Sequence, residues 1–290
     1  MNHPDDYLRD CHTDRYTTSD GYQHFYRHWP AQGEVRGVLL AIHGIQSHSG
    51  WYGYSSSRLA AAGYHVYFLD RRGSGHNFRS RGHTRHEDRL VGDVVQFARF
   101  LNYEHPELPT ILLGLSWGGK LASVVASRYS SLFNRLVLLY PGLRAYVRPN
   151  WFQLFQLKLA EIFEVEAKKV PIPLSEPALF TAEPTARLFI RQDPLMLEEV
   201  TSGFLIANRN LDQETHQHSF PGNITMPSLL LLAGRDQIID NKQTETLFRR
   251  FPNQRNELRV YEEGAHTLEF EPNREQIFSD LIDWLQRTDD

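Results

Sequence analysis

Cysteine is almost absent from this chain: Cys11 is the only one among 290 residues. A lone thiol forms no disulfide within the chain and supplies no Cys-based zinc site. Long apolar runs are missing too, so no stretch is expected to span a bilayer. The N-terminus, Met1-Asn-His-Pro-Asp5-Asp6, is polar and lacks the apolar segment of a signal peptide. A cytoplasmic location is therefore expected, and the sequon Asn223-Ile224-Thr225 carries little weight. Positive charge is not in excess: 31 Lys and Arg stand against 35 Asp and Glu, a net charge of −4. No Lys/Arg cluster offsets that balance, so no nucleic-acid partner is expected. Internal repeats and low-complexity stretches are likewise missing.

What is present is the material of a globular core, with 41% apolar residues. The length suits one large α/β domain with an insertion, or two domains. Residues 15–30 alternate apolar and polar around Asp20-Gly21, which suggests an opening β-hairpin. Strand signals follow at 36–42, 65–69, 110–115, 135–140, 228–233 and 258–261. Helical spacing appears at 54–62, 87–103, after Gly118-Gly119, at 241–250 and at 274–287. Strand–helix alternation predicts a mostly parallel central sheet flanked by helices. Residues 143–224 break the alternation and read as helices and turns, with helices over 151–167 and 193–208 and Pro171 and Pro173 as breaks. The expected division is a core over 1–142, a helical lid over 143–224 and the rest of the core over 225–290. In an open α/β sheet such an insertion, at the carboxyl ends of the strands, overhangs the ligand crevice.

The motif Gly114-Leu-Ser-Trp-Gly118-Gly119 follows an apolar strand and opens a helix. That is the context of a nucleophile elbow, in which a serine occupies a strained strand-to-helix turn. The backbone N–H of Trp117 then points where the serine hydroxyl points, at the positive end of the helix. A serine needs a base, usually a histidine held by a carboxylate. Asp236 and His266 follow two later strands, in the order Ser, Asp, His and on the same rim of the sheet. Asp236 alone would read as a turn residue, and His266 is one of 14 histidines; together with Ser116 they are harder to explain away. Asp240 competes as the acid but reads better as the N-cap of the next helix. A second oxyanion donor is expected from the loop His43-Gly44-Ile45, with the Ile45 N–H as candidate and His43 bracing that loop near the pocket.

These segments resemble the serine hydrolases of the α/β-hydrolase superfamily, in particular the monoacylglycerol lipase and lysophospholipase group. The matching stretches are His43-Gly-Ile-Gln-Ser-His48-Ser-Gly-Trp-Tyr52, Asp70-Arg-Arg-Gly73-Ser-Gly75, Gly114-Leu-Ser-Trp-Gly118-Gly119, Asp193-Pro194-Leu195, Gly234-Arg-Asp236 and Gly264-Ala-His266. The resemblance implies the α/β-hydrolase fold, with Ser116 as nucleophile, Asp236 as acid, His266 as base and Ile45 and Trp117 as oxyanion donors. It departs from the group at Ser47, Ser74, Asn77 and Trp117, and Ser-Trp-Gly also resembles proline iminopeptidases. The expected activity is hydrolysis of small-molecule esters with an apolar acyl group. An aminopeptidase, an acyltransferase and a non-catalytic binding protein are the alternatives. An aminopeptidase would need a free acid for the substrate ammonium, for which Glu161, Glu164, Glu166, Glu198 and Glu199 are available.

No cofactor is expected. His76, His83 and His86 with Glu87 and Asp88 have ligand chemistry, but their arginine-rich surroundings oppose a metal cation. Trp151, Phe152 and Phe155 fall on one face of a very apolar lid helix. Together with Phe204 they are candidates to line an acyl-chain pocket. The surplus apolar surface suits that pocket, a transient lipid-surface contact, or packing within the lid or against a second copy.

Overall fold

The computed structural model describes residues 4–146 and 165–287. Its frame is an eight-stranded sheet in the order β1-β2-β4-β3-β5-β6-β9-β10. The strands are β1 His12–Thr17, β2 Gln23–Trp29, β3 Gly37–Ile42, β4 Tyr64–Leu69, β5 Thr110–Leu115, β6 Arg135–Leu139, β9 Ser228–Ala233 and β10 Glu257–Tyr261. The first two form the expected antiparallel hairpin, turned by Thr18–Tyr22 hydrogen bonding with Gly21 at φ +74°. β2 runs antiparallel to β4, and every later pairing in this sheet is parallel.

Every residue of β3, β5, β6 and β9 is buried. Their sequences therefore show no alternation: helices cover both faces, and neither face can be polar. Those helices are α1 Gly53–Ala61, α2 Glu87–Glu104, α3 Trp117–Arg128, α6 Asn241–Phe248 and α7 Arg274–Arg287. The sequence signals located four of them to within two residues at each end, and the start of α3 to within one. Two glycines let α3 close onto the sheet. A side chain at Gly118 would run into the carbonyl oxygens of Ile42 and His43, and one at Gly114 would lie 2.6 Å from Ala122 Cβ.

The chain leaves β3 for β4 on one side and then crosses back to β5 on the other. This reversal opens a crevice at the carboxyl ends of β3 and β5, the usual ligand position in such sheets. The loops that begin at His43 and Ser116 border that crevice.

Between β6 and β9 the described residues add no strand to the main sheet. They form a separate antiparallel ribbon, β7 Lys169–Pro171 with β8 Glu199–Thr201, and two helices, α4 Pro184–Gln192 and α5 Ser202–Thr215. The helix expected over 193–208 is thus displaced. Asp193 ends α4 with an extended backbone, as a residue before proline prefers, and α5 begins only where Thr201 Oγ1 caps the Phe204 amide. The helix expected over 151–167 falls almost wholly outside the described residues, and 165–168 are not helical. Among the described residues no helix is long and apolar enough to cross a membrane.

Buried polar bonds tie this insertion to the core. Asp193 Oδ2 accepts from Trp51 Nε1 at 2.6 Å and from His48 Nε2 at 3.1 Å. Leu197 N–H donates to Gln46 O, and Thr267 N–H to Phe180 O. The carboxyl of Asp193 is held below its ordinary range by His48 and Trp51, which outweigh its burial. Asp193→Ala should leave both donors orphaned at about 1–3 kcal/mol each. The expected result is a melting temperature several degrees lower by calorimetry, with Asp193→Asn losing less.

At the other end of the sheet lies a histidine cluster. His28 Nε2 is 3.2 Å from His65 Nδ1, and the rings of His12 and His105 lie against His28 and His65 respectively. Burial and the neighbouring histidines push the pKa of His28 from 6.5 down to about 4, and those of His65 and His105 also fall. The unfolded chain therefore takes up protons that the folded cluster refuses. Urea stability should be level above pH 6.5 in this respect and fall toward about pH 4. His28→Gln should flatten that slope.

Candidate active site

Ser116 joins β5 to α3 at φ +51°, a region few side-chain-bearing residues adopt. Such a conformation costs about 1–3 kcal/mol and persists only where its surroundings fix it. Here the Ser116 N–H donates to Leu139 O at 3.0 Å. Its carbonyl accepts from Gly119 N at 2.8 Å and Gly142 N at 2.6 Å. The turn is thus clamped by α3 and by the chain leaving β6, and the hydroxyl stands out over the crevice.

His266 lies beyond β10, and its Nε2 is 2.9 Å from Ser116 Oγ. Its Nδ1 is 2.7 Å from Oδ2 of Asp236, which lies beyond β9. The other carboxylate oxygen, Oδ1, accepts from Ile238 N at 2.8 Å and Ile239 N at 3.0 Å. Asp236 can therefore aim its remaining oxygen only at the imidazole. As the carboxylate accepts from Nδ1–H, the network leaves Nε2 to accept the serine proton. The side chains of His266 and Asp236 are almost wholly buried, which strengthens their interaction. Asp240 has the alternative role expected for it. Its Oδ1 caps α6 through Gln243 N, while its Oδ2 accepts from Gln243 Nε2.

The amide of Trp117 is the first of α3, where no acceptor within the helix is available. Among the described residues neither that amide nor the Ile45 amide donates a hydrogen bond. A Cβ on Gly44 would stand 3.3 Å from Ser116 Cβ and 3.6 Å from its Oγ, so the Gly44–Ile45 peptide borders the serine. His43 has no exposed surface. Its Nδ1 contacts Gly44 O at 2.8 Å, and its Nε2 accepts the Arg71 N–H at 3.0 Å. It braces the loop rather than presenting a face to a ligand. Phe204, on α5, packs against the Trp117 ring at 5.2 Å. Trp151, Phe152 and Phe155 lie outside the described residues.

The remaining polar candidates are dispersed. His76 contacts Arg27, and His83 contacts Thr201 Oγ1. Glu166 pairs with Arg85 and Glu199 with Lys169, while Glu161 and Glu164 lie outside the described residues. Sequence reasoning missed two residues around the imidazole. Tyr140, at φ +37°, sets its ring edge-on to His266 at 4.8 Å, and Phe180 reaches it at 6.0 Å from the insertion. No local pattern announces these two residues: only folding brings them to the histidine. Glu269, three residues after His266, is buried and accepts the Ser55 N–H, and burial raises its carboxyl pKa to about 7.

A hydroxyl bonded to an imidazole that a carboxylate orients is primed for nucleophilic attack. A fluorophosphonate should therefore label Ser116 in the wild type and fail to label Ser116→Ala. His266→Gln should slow labelling by orders of magnitude. Mass spectrometry of the adduct reads the site directly.

Comparisons with known proteins place the chain in a family. A family model described as serine aminopeptidase, S33, matches residues 33–273. The chain is 26% identical over 268 residues to a monoacylglycerol lipase of Mycolicibacterium smegmatis, covering 91% of this chain and 93% of that one. It is 26% identical over 276 residues to the monoglyceride lipase of Homo sapiens, covering 93% and 89%. A solved structure of a soluble variant of the Saccharomyces cerevisiae monoglyceride lipase, in complex with a substrate analogue, superposes with a TM-score of 0.84. The two chains share 20% identity, with 95% of this chain and 94% of that one covered. The family match spans most of the chain, and the protein belongs to the S33 serine hydrolases of α/β-hydrolase fold.

Proposed function

We propose that this carboxylic ester hydrolase cleaves esters carrying one apolar acyl chain, of the monoacylglycerol or lysophospholipid kind, through an acyl-enzyme on Ser116. The observation that carries this reading is the continuous chain of hydrogen bonds from Ser116 through His266 to Asp236. The substrate class follows from the monoacylglycerol and monoglyceride lipases that the chain resembles along nearly its whole length.

Ser116 Oγ attacks the ester carbonyl while His266 Nε2 takes its proton. The resulting imidazolium is held in place and stabilised by Asp236. The oxyanion of the tetrahedral intermediate accepts from the Ile45 and Trp117 amides, which no reorganisation has to bring into position. Collapse breaks the bond to the alcohol oxygen, and His266 returns its proton to that leaving group. Water then enters, is deprotonated by His266 and releases the fatty acid by the same route in reverse. The chemistry uses only the chain's own groups, so no cofactor takes part.

Residues 143–224 act as a lid in this reading. Phe180 already reaches the His266 ring, and Phe204 backs Trp117. Trp151, Phe152 and Phe155 supply the further apolar surface for an acyl chain and for brief contact with a lipid surface. The protein itself works in the cytoplasm.

The test is a panel of monoacylglycerols and p-nitrophenyl esters of rising chain length, run beside aminoacyl-anilides. Esters should turn over and anilides should not; preference for anilides would overturn the reading in favour of a peptidase. Ser116→Ala should abolish ester turnover in a folded protein. Asp236→Asn should lower kcat by about 10⁴ by disturbing the imidazole tautomer, while Asp240→Asn should cost far less. Phe155→Ala should reduce kcat/KM for long esters and spare acetate, a difference of about 1–3 kcal/mol.

A further inference from the structure

Arg71 is a cation in an unusual place. It is the second residue after β4, beside the crevice, and is only 3% exposed. Burying a charge is costly unless a partner compensates it, and an opposite charge is the usual partner. The adjacent Asp70 lends opposite charge through space but makes no direct bond to the guanidinium; its carboxylate oxygens accept from the Ser49 and His76 amides. The partners of the Arg71 guanidinium among the described residues are backbone carbonyls and aromatic faces. Nη2 donates to Gly44 O at 3.0 Å and to Ile45 O at 2.7 Å, and the group lies 4.6 Å from the Trp117 ring centroid. Among the described residues its Nε is buried with no partner. Desolvation pushes the guanidinium pKa down to about 9, still protonated at neutral pH.

These contacts converge on the two residues that carry the oxyanion donors. The structure assigns Arg71 as a positioning residue: it locks the Gly44–Ile45 peptide with the Ile45 N–H facing the oxyanion, and it braces Trp117, which bears the second donor. This assignment rests on the serine-hydrolase reading and adds to it the residue that sets the donor geometry.

The lock acts through both chemical ends of Arg71. Its backbone N–H donates to His43 Nε2, which fixes the proton on His43 Nδ1. That Nδ1–H donates to Gly44 O at 2.8 Å, and the Arg71 guanidinium donates to the same oxygen. Both acceptor positions of one carbonyl are then filled. A trans peptide is planar, with its N–H directed opposite to its C=O. Holding Gly44 O on the Arg71 side therefore turns the Ile45 N–H the other way. Gly44 itself borders Ser116, and in the proposed arrangement that direction is the serine side of the loop. A flipped peptide would replace a donor with a carbonyl oxygen in front of the oxyanion. It would also break both bonds to Gly44 O. The third contact, to Ile45 O, holds the next peptide and limits motion of the loop as a whole.

The experiment compares wild type, Arg71→Lys and Arg71→Met with one short and one long ester. It also measures inhibition by a trifluoromethyl ketone bearing the same acyl chain, which forms a tetrahedral adduct on the serine. Loss of one oxyanion donor costs about 10²–10³ in kcat. Arg71→Met should approach that loss, and Arg71→Lys should lose less. KM should stay within about twofold, and affinity for the ketone should weaken in parallel with kcat/KM, because only transition-state contacts are removed. Unchanged kcat in Arg71→Met would overturn the assignment. So would a raised KM at unchanged kcat, the mark of a ground-state substrate contact. If Arg71→Met does not fold by circular dichroism, Arg71→Lys carries the test alone: kcat and ketone affinity should fall together severalfold, and wild-type values for both would overturn the assignment. Failure of the ester-hydrolase reading is separable, since the wild type itself would then turn over no ester.

Discussion

One strained residue organises the site. Ser116 is held at φ +51° by hydrogen bonds from the end of β6, from the first turn of α3 and from the Pro141-Gly142 segment. Those elements can close around it only because Gly118 and Gly114 let α3 lie against β3 and β5 with no side chain between. The strain is local, but the hydrogen bonds that hold it come from sheet and helix together. The serine is thus as rigid as the core, and its hydroxyl direction is set before any substrate arrives. Preorganisation of this kind is where enzymes of this chemistry gain most of their rate.

Around that turn the protein buries an uncommon number of ionisable groups. Asp70, Arg71, Asp236, His43, His266 and Glu269 are all nearly inaccessible to water. Most of them spend their polar atoms on backbone amides or carbonyls rather than on one another. Asp70 holds the loop beginning at Ser49 and the one containing His76, Asp236 holds its own turn, and Arg71 holds the loop at Gly44 and Ile45. Loops at the carboxyl ends of parallel strands have no ladder to fix them. A buried side chain bonded to their backbone supplies the missing constraint, at an energetic cost that the large apolar sheet can absorb.

The insertion between β6 and β9 follows the same rule. Among the described residues it shares no strand with the main sheet, yet Asp193, Leu197 and Phe180 bond it to loops of the core. Asp193 reaches His48 and Trp51 in the segment that follows the loop at His43, and Phe180 reaches both Thr267 and the ring of His266. The insertion is therefore attached on either side of the crevice that Ser116 borders.

Much of this was legible in the sequence, for physical reasons. Continuous apolar runs at 36–42, 110–115 and 228–233 require strands buried on both faces, and helical periodicity between them requires a parallel sheet with crossovers. That sheet places the residues after successive strands on one rim, so the chain order of Ser116, Asp236 and His266 already implied their meeting. The choice of Asp236 over Asp240 was readable as well, since an aspartate directly before a helix caps it. The tertiary structure alone decided the rest. The insertion's helix moved from 193–208 to Ser202–Thr215 because Pro194 and the Thr201 cap outweigh apolar spacing. Tyr140 and Phe180 came to the histidine through contacts across the fold, which no local pattern encodes. The place of Arg71 was hidden for the same reason. In the sequence it is one arginine in a polar loop; only the folded chain wraps two carbonyls and an indole around it and, among the described residues, leaves it without a carboxylate in direct hydrogen-bond contact.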